Sequence, residues 1–385
     1  MPLSLVYAVV ILLGIITITA SSTAASNFTI YRSVATYADR NGVVPPEYAV
    51  LPPGEVSGRY ADFTPMNFRV YQALLGDSDT ADVARYVAYQ TLIFLAGIYL
   101  LQRFRERLGV STAEVRWISL GAIACSLLIL PFLEDKVTFF TLPLLTLVGS
   151  TGSAVAAGAG LGVMIGWTGL GISVLPVLAL RREGLRDAIR TTLAAVIVTL
   201  VMMSVAGRGA VDPLSRRSDR EAQDPFWYSL WAPFGDLGSP TVRSLAFVVL
   251  STAVFVAWLQ KRASTTAVIV GLIMVSLLVS NSTVPERLAM VLPLGALAFT
   301  GLKARRSWSI AVAAWAAVLL VAKVSNRAFD TTLLGSVDRV GIIGIVEVLI
   351  VNSPLLVVLA VIVFGRATPA GIGRGQASLA GRQAP

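Results

Sequence analysis

Long apolar runs, of roughly the 17–25 residues needed to cross a bilayer's hydrocarbon, recur from one end of the chain to the other. They fall near residues 3–20, 86–102, 117–133, 137–149, 153–166, 168–180, 187–206, 244–259, 264–280, 288–302, 308–322 and 341–364. This pattern predicts an all-α, polytopic membrane helical bundle of about 11–12 transmembrane segments. The polar stretches between them are unequal. The first, residues 21–85, is long and rich in proline, and a structureless connection of that length is uncommon unless it is functional. Within it, residues 27–39 are expected as a short helix lying on the membrane surface. Two further long polar loops are expected at 207–243 and 323–340. The rest of the chain forms one transmembrane domain, 1–365. A basic tail, 366–385, lacks apolar periodicity and is expected to be disordered.

Composition removes the soluble alternative. Of 385 residues, 55% are hydrophobic and 14% charged, where a soluble domain carries about 25% charged residues. The chain has no histidine and one cysteine, Cys125. Histidine-based triads, histidine-ligated zinc and an intramolecular disulfide are therefore excluded. The first apolar run resembles a signal peptide in ending near Ala24-Ala25-Ser26, but it lacks a basic leading segment and is long, so an uncleaved first helix is expected.

Charge then orients the spans. With the N-terminus inside and strict alternation, the cytoplasmic segments hold sixteen lysines and arginines against four acids. Seventeen of the 22 acids fall outside. The net +9 is thus a positive-inside signature rather than a nucleic-acid footprint, with both termini cytoplasmic and attraction to membrane lipids favoured.

Inside the membrane the unusual stretch is 149–171, with Gly149, Gly152, Gly158, Gly160, Gly162, Gly166, Gly169 and Gly171. Two readings are compatible: tight helix packing, and a hairpin of two short helices meeting near Gly166-Trp167-Thr168-Gly169. Chemistry is expected at the outer boundary. Asp62, in Arg59-Tyr-Ala-Asp-Phe-Thr-Pro65, lies between aromatics and proline, where partial burial suits a carboxylate to general-base work. Asp39 and Glu55 are the other first-loop candidates. Glu134-Asp135-Lys136 forms a short charged turn that either stops two helices or presents a carboxylate and a phosphate-binding lysine. Arg287, after Asn281-Ser-Thr-Val-Pro-Glu286, sits where a bidentate contact would meet a lipid-linked phosphate or a head group. Glu347 lies about two turns into the last span, and an intramembrane carboxylate marks either a site or an ion pair, with Arg339 or Lys323 as partner.

The order of these features resembles the polytopic lipid-linked glycosyltransferases of the GT-C fold, and within them the bacterial polyprenyl-phosphate-mannose-dependent α-mannosyltransferases. The matching stretches are Asn27-Phe-Thr-Ile-Tyr31-Arg32, Tyr60-Ala-Asp-Phe-Thr-Pro65, Glu134-Asp-Lys-Val-Thr-Phe-Phe140, the run from Gly160 through Trp167 to Pro176, Arg181-Arg182, and Ser282-Thr-Val-Pro-Glu-Arg-Leu288. They cover most of residues 1–305 by order and spacing. Two positions depart from the family pattern: Asn27 stands where a catalytic Asp is usual, and Trp167-Thr168 where Lys-Pro is usual.

The resemblance implies sugar transfer from a polyprenyl-phosphate donor to a lipid or glycan acceptor on the outer face of the cell membrane. Asp62, Asp39 or Glu55 would serve as the catalytic carboxylate. Glu134, Asp135, Lys136, Arg287, Trp167, Tyr31 and Arg32 would contact substrate. Carboxylates beside phosphate accommodate Mg2+ or Mn2+ without requiring either. The rival readings are a flippase or transporter for a lipid-linked saccharide and a non-catalytic assembly subunit.

Overall fold

The computed structural model describes residues 3–20, 33, 36–37, 40–41, 50–51, 56–57, 70, 73–75, 79–130, 136–181, 184–204, 240–279, 285–329 and 342–365. Its elements in chain order are α1 (Leu3–Ala20), β1 (Val50–Leu51), β2 (Val56–Ser57), α2 (Asp79–Arg103), α3 (Thr112–Ser126), α4 (Thr138–Ser150), α5 (Ala154–Thr168), α6 (Leu175–Leu180), α7 (Leu185–Ser204), α8 (Pro240–Leu259), α9 (Thr265–Val279), α10 (Pro285–Val291), α11 (Leu302–Phe329) and α12 (Ile342–Phe364). The strands form one short antiparallel pair, Val50 opposite Ser57 and Leu51 opposite Val56, within the first polar loop. In the same loop Ser33, Thr36, Tyr37, Arg40 and Asn41 are helical, which overlaps the expected surface helix.

Local chemistry sets several boundaries. Ser111 opens α3 with a capping box: its hydroxyl accepts from the Glu114 N–H, and the Glu114 carboxylate accepts from the Ser111 N–H at 2.6 Å. Ser153 caps α5 through the Ala156 N–H. Gly169 ends α5 at φ 68°, a left-handed position that a side chain would strain.

Two apolar runs expected as spans are broken. Residues 168–180 turn at Gly169 and Gly171, pass through a 3-10 turn, Ile172–Val174, and end in the six-residue α6. Residues 288–302 begin in α10 and tighten into a 3-10 segment, Leu292–Ala298. Apolarity alone does not distinguish a span from a buried re-entrant stretch, because both avoid water. Here Gly169, Gly171, Pro176, Pro285, Pro293 and Gly295 supply the breaks.

Among the described residues five helices are long and apolar enough to cross a membrane: Ala81–Arg103, Leu185–Ser204, Thr241–Leu259, Leu302–Ser325 and Ile345–Phe364. Shorter apolar helices accompany them at Ser4–Thr19, Thr138–Ser150, Ala154–Thr168 and Thr265–Val279. The last, α9, is apolar all round and buried on nearly every side, as a central helix must be. At the periphery α7 shows the opposite distribution. Its exposed face carries Leu185, Ile189, Leu193, Ile197 and Leu200, while Thr191 and Ala195 are its buried residues.

What holds α7 is a stripe of glycines. Gly158, Gly162 and Gly166 recur every four residues along α5 and so share one face. A Cβ on Gly158 would strike the Thr191 carbonyl, one on Gly162 would lie 2.7 Å from the Ala195 carbonyl, and one on Gly166 would lie 2.6 Å from Met202 Cβ. Backbones this close gain van der Waals contact that lipid cannot replace. Gly160 uses the other face, against Leu145 and Thr146 of α4.

α3 and α11 run parallel, and an ion pair closes each end. Glu114 meets Arg305 at 2.9 Å, Gly121 lies against Ser309, and the Leu128 carbonyl meets Lys323, which also pairs with Glu286. From Arg305 to Lys323 is about 27 Å of helix at 1.5 Å per residue. That nearly equals the roughly 30 Å hydrocarbon thickness of a bilayer. The two pairs thus lie about one hydrocarbon thickness apart, and the ends of the bundle that they close are here called the Arg305 end and the Lys323 end.

Candidate functional site

The Lys323 end gathers basic side chains from three elements around α10. Lys323 donates to Glu286 at 2.7 Å and to the Leu128 carbonyl at 3.4 Å. The residue after Glu286, Arg287, places its guanidinium 5.6 Å from the centre of the Phe139 ring. Phe139 stands in the first turn of α4, and its N–H donates to the Lys136 carbonyl at 3.0 Å. Lys136 itself is 8% exposed. Pro285 starts α10 so that Glu286 and Arg287 emerge in its first turn, packed between α3 and α4.

Helix register brings Trp167 to the same end. α4 and α5 are antiparallel, with Gly149 against Ala156 and the Thr146 hydroxyl donating to the Gly160 carbonyl at 3.1 Å. Extending that register sets Trp167 level with Phe139. Lys136, Arg287 and Trp167, three of the expected substrate contacts, thus share one end of the bundle. Asp62, Asp39, Glu55, Glu134, Asp135, Tyr31, Arg32 and Asn27 lie outside the described residues, as do residues 366–385.

The structure adds an acid, Asp82, which falls within the polar stretch 21–85 expected as the first loop. α2 begins at Asp79, seven residues before the expected span, so Asp82 lies inside the helix and is fully buried. Tyr86 and Gln90 follow at four-residue spacing on the same face, and both are buried too. Arg85 approaches Asp82 at 3.9 Å. α2 ends at Arg103 beside the Arg305 end, so Asp82 belongs to the opposite, Lys323 end. The signal in the sequence was the Asp82, Tyr86, Gln90 spacing, a polar stripe running into an apolar helix.

Glu347 is half-buried on α12. α11 and α12 are antiparallel, with Trp315 beside Ile350, so Glu347 lies more than a turn inside the Lys323 level. Lys323, one of its expected partners, binds Glu286; Arg339, the other, lies outside the described residues. Among the described residues no three His, Cys, Asp or Glu side chains gather as a metal-binding group.

The Arg305 end is built differently. Arg305 donates to Glu114, to the Gly109 carbonyl at 3.0 Å and to the Phe299 carbonyl at 2.9 Å. Its hydrogen bonds tie the α2–α3 connection to the end of the 3-10 segment and the start of α11. This is a structural clamp. Compared with known proteins, the chain matches no protein-family model, no curated protein and no solved structure.

Proposed function

We propose that the chain is a membrane glycosyltransferase of GT-C type, taking a sugar from a polyprenyl-phosphate donor that enters from the bilayer. The acceptor is a hydroxyl of a lipid or glycan. The observation that supports this reading is the gathering of Lys136, Arg287 and Lys323 at one membrane boundary, with Trp167 at the same height. A polyprenyl phosphate keeps its chain in hydrocarbon and its phosphate at that boundary. Arg287 suits bidentate recognition of phosphate oxygens, and Lys136 adds a point charge.

As the sugar–phosphate bond breaks, negative charge grows on the departing phosphate, and fixed cations lower the barrier. The acceptor proton passes to a carboxylate. Asp62, Asp39 and Glu55 are the first-loop candidates, and Asp82 is a carboxylate at the same end. The positive-inside rule assigns the Arg305 end to the cytoplasm and the Lys323 end to the outer face.

The test uses the purified chain in nanodiscs, a panel of polyprenyl-phosphate sugars beginning with mannose, and a glycolipid acceptor. Expected is donor-dependent release of polyprenyl phosphate, reduced ~100-fold in Arg287→Met and Lys136→Met while unfolding is unchanged. Transfer that survives both substitutions, or no transfer and no polyprenyl phosphate binding across the panel, overturns the reading. Passage of intact sugar lipid across the bilayer replaces it with a flippase.

A further inference from the structure

A groove runs along the lipid-facing side between α11 and α12. Its larger part, about 510 Å³, is lined by Ser307, Trp308, Ala311, Trp315, Pro354 and Val357 among others. A second part of about 360 Å³ continues past Trp315 to Val318 and Val346. From Ala304 to Val318 the groove covers about 21 Å of helix, more than one leaflet of a roughly 30 Å hydrocarbon core.

The groove exists because small side chains face a proline. Ser307 and Ala311 leave space on α11, and Pro354 leaves space on α12. Both indoles turn their polar groups inward: Trp308 donates to the Leu292 carbonyl at 2.9 Å and Trp315 to the Ile350 carbonyl at 3.3 Å. What remains toward the groove is apolar ring surface, which suits a hydrocarbon chain and offers nothing to a polar ligand. The charge sits at one end only. Lys303, Ser307, Ala311 and Trp315 follow one another at four-residue spacing, so Lys303 heads the groove-facing stripe. Lys303 is exposed at the Arg305 end; Arg306, also exposed, lies off this stripe, with its guanidinium 4.8 Å from the centre of the Trp117 ring of α3.

We infer that this groove is a binding site for an anionic phospholipid. One acyl chain would lie against Trp308 and Trp315, and the phosphate would face Lys303. The complementary charge at the mouth selects the anionic head group; the apolar slot below takes the chain. The site is separate from the Lys323 end and does not depend on the reading proposed there.

Quenching of tryptophan fluorescence by lipids brominated on the acyl chain tests the assignment. The full chain is reconstituted in phosphatidylcholine nanodiscs containing brominated phosphatidylglycerol or, at equal mole fraction, brominated phosphatidylcholine. The Trp308→Phe/Trp315→Phe variant identifies the emission that belongs to the groove. Ala311→Phe fills the slot while keeping both indoles.

Phosphatidylglycerol is expected to quench the groove emission at a lower mole fraction than phosphatidylcholine, by roughly fivefold, the effect of one basic side chain. Lys303→Gln is expected to remove that preference, Arg306→Gln to leave it in place, and Ala311→Phe to reduce quenching by both lipids. Equal quenching by the two lipids means ordinary annular lipid and overturns the proposal. So does a preference that survives Lys303→Gln. Shielding from both lipids, as a second copy seated in the groove would give, overturns it as well.

Discussion

The Trp315 indole N–H reaches across from α11 to the Ile350 carbonyl of α12 at 3.3 Å, and this is the carbonyl that Pro354 leaves without its helical donor. In a regular α-helix the N–H of residue 354 would serve Ile350, and proline has none. The Ser353 hydroxyl donates to the same oxygen at 3.0 Å. An unserved carbonyl at membrane depth has no water to turn to, so the hydrogen bond missing from the continuous α12 is tolerated because a neighbouring helix replaces it.

Trp315→Phe is therefore expected to destabilise the protein by about 1 kcal/mol, near the net value of one such bond in a membrane. Ser353 would keep the carbonyl partly served. Combining it with Pro354→Ala, which restores the backbone donor, should make the tryptophan substitution less harmful than it is alone. Denaturation midpoints of the four members of the cycle check this, and strict additivity would mean the two groups do not share the carbonyl.

The Glu114–Arg305 pair, each side chain 9% exposed, should behave as a buried ion pair. Glu114→Gln removes one charge and leaves Arg305 uncompensated, with an expected loss of about 3–5 kcal/mol. The same change weakens the Ser111 capping box. A Lys323→Met comparison at the other end should cost less, because both members of the Glu286–Lys323 pair are more exposed. Thermal unfolding in detergent ranks the two ends, and a larger loss at Lys323 would reverse the assignment of the structural clamp.

Gly162→Leu is expected to separate α5 from α7, since even a Cβ meets the Ala195 carbonyl and Val198. Val155→Leu, on the exposed side of the same helix, should change little. Protease sensitivity of α7 reads the difference directly. If the glycine substitution leaves α7 protected, the close approach is not what retains that helix.

Asp82→Asn separates a chemical role from a packing role at the buried acid. The amide has nearly the shape of the carboxyl but neither its charge nor its basicity. Sugar transfer per folded molecule is expected to fall, and because Asp82 is fully buried the unfolding midpoint is measured alongside so that lost stability is not counted as lost chemistry. Unchanged transfer would return the acid–base role to Asp62, Asp39 or Glu55, each tested by the same Asp→Asn or Glu→Gln exchange.

Much of this was written locally. The apolar runs set the helices because lipid forces every span to satisfy its own backbone. Ser111 with Glu114, Ser153 and Gly169 set helix ends through bonds that reach three or four residues. The glycine-rich stretch 149–171 left close helix packing open beside a hairpin, and only the structure shows which glycines face α7. The sequence did not reveal that two apolar runs break, since hydropathy is the same for a span and for a buried 3-10 segment. It misplaced Asp82 as a loop acid because the start of α2 depends on what covers its first turns.

Only tertiary structure could join residues distant in sequence. It brought Arg287 onto Phe139 beside Lys136, set Glu286 against Lys323, and placed Trp315 against the carbonyl freed by Pro354. The physical reason is reach. Hydropathy and capping act over a few residues, whereas an ion pair or a repaired carbonyl depends on which helices become neighbours, and that is decided by packing across the whole bundle.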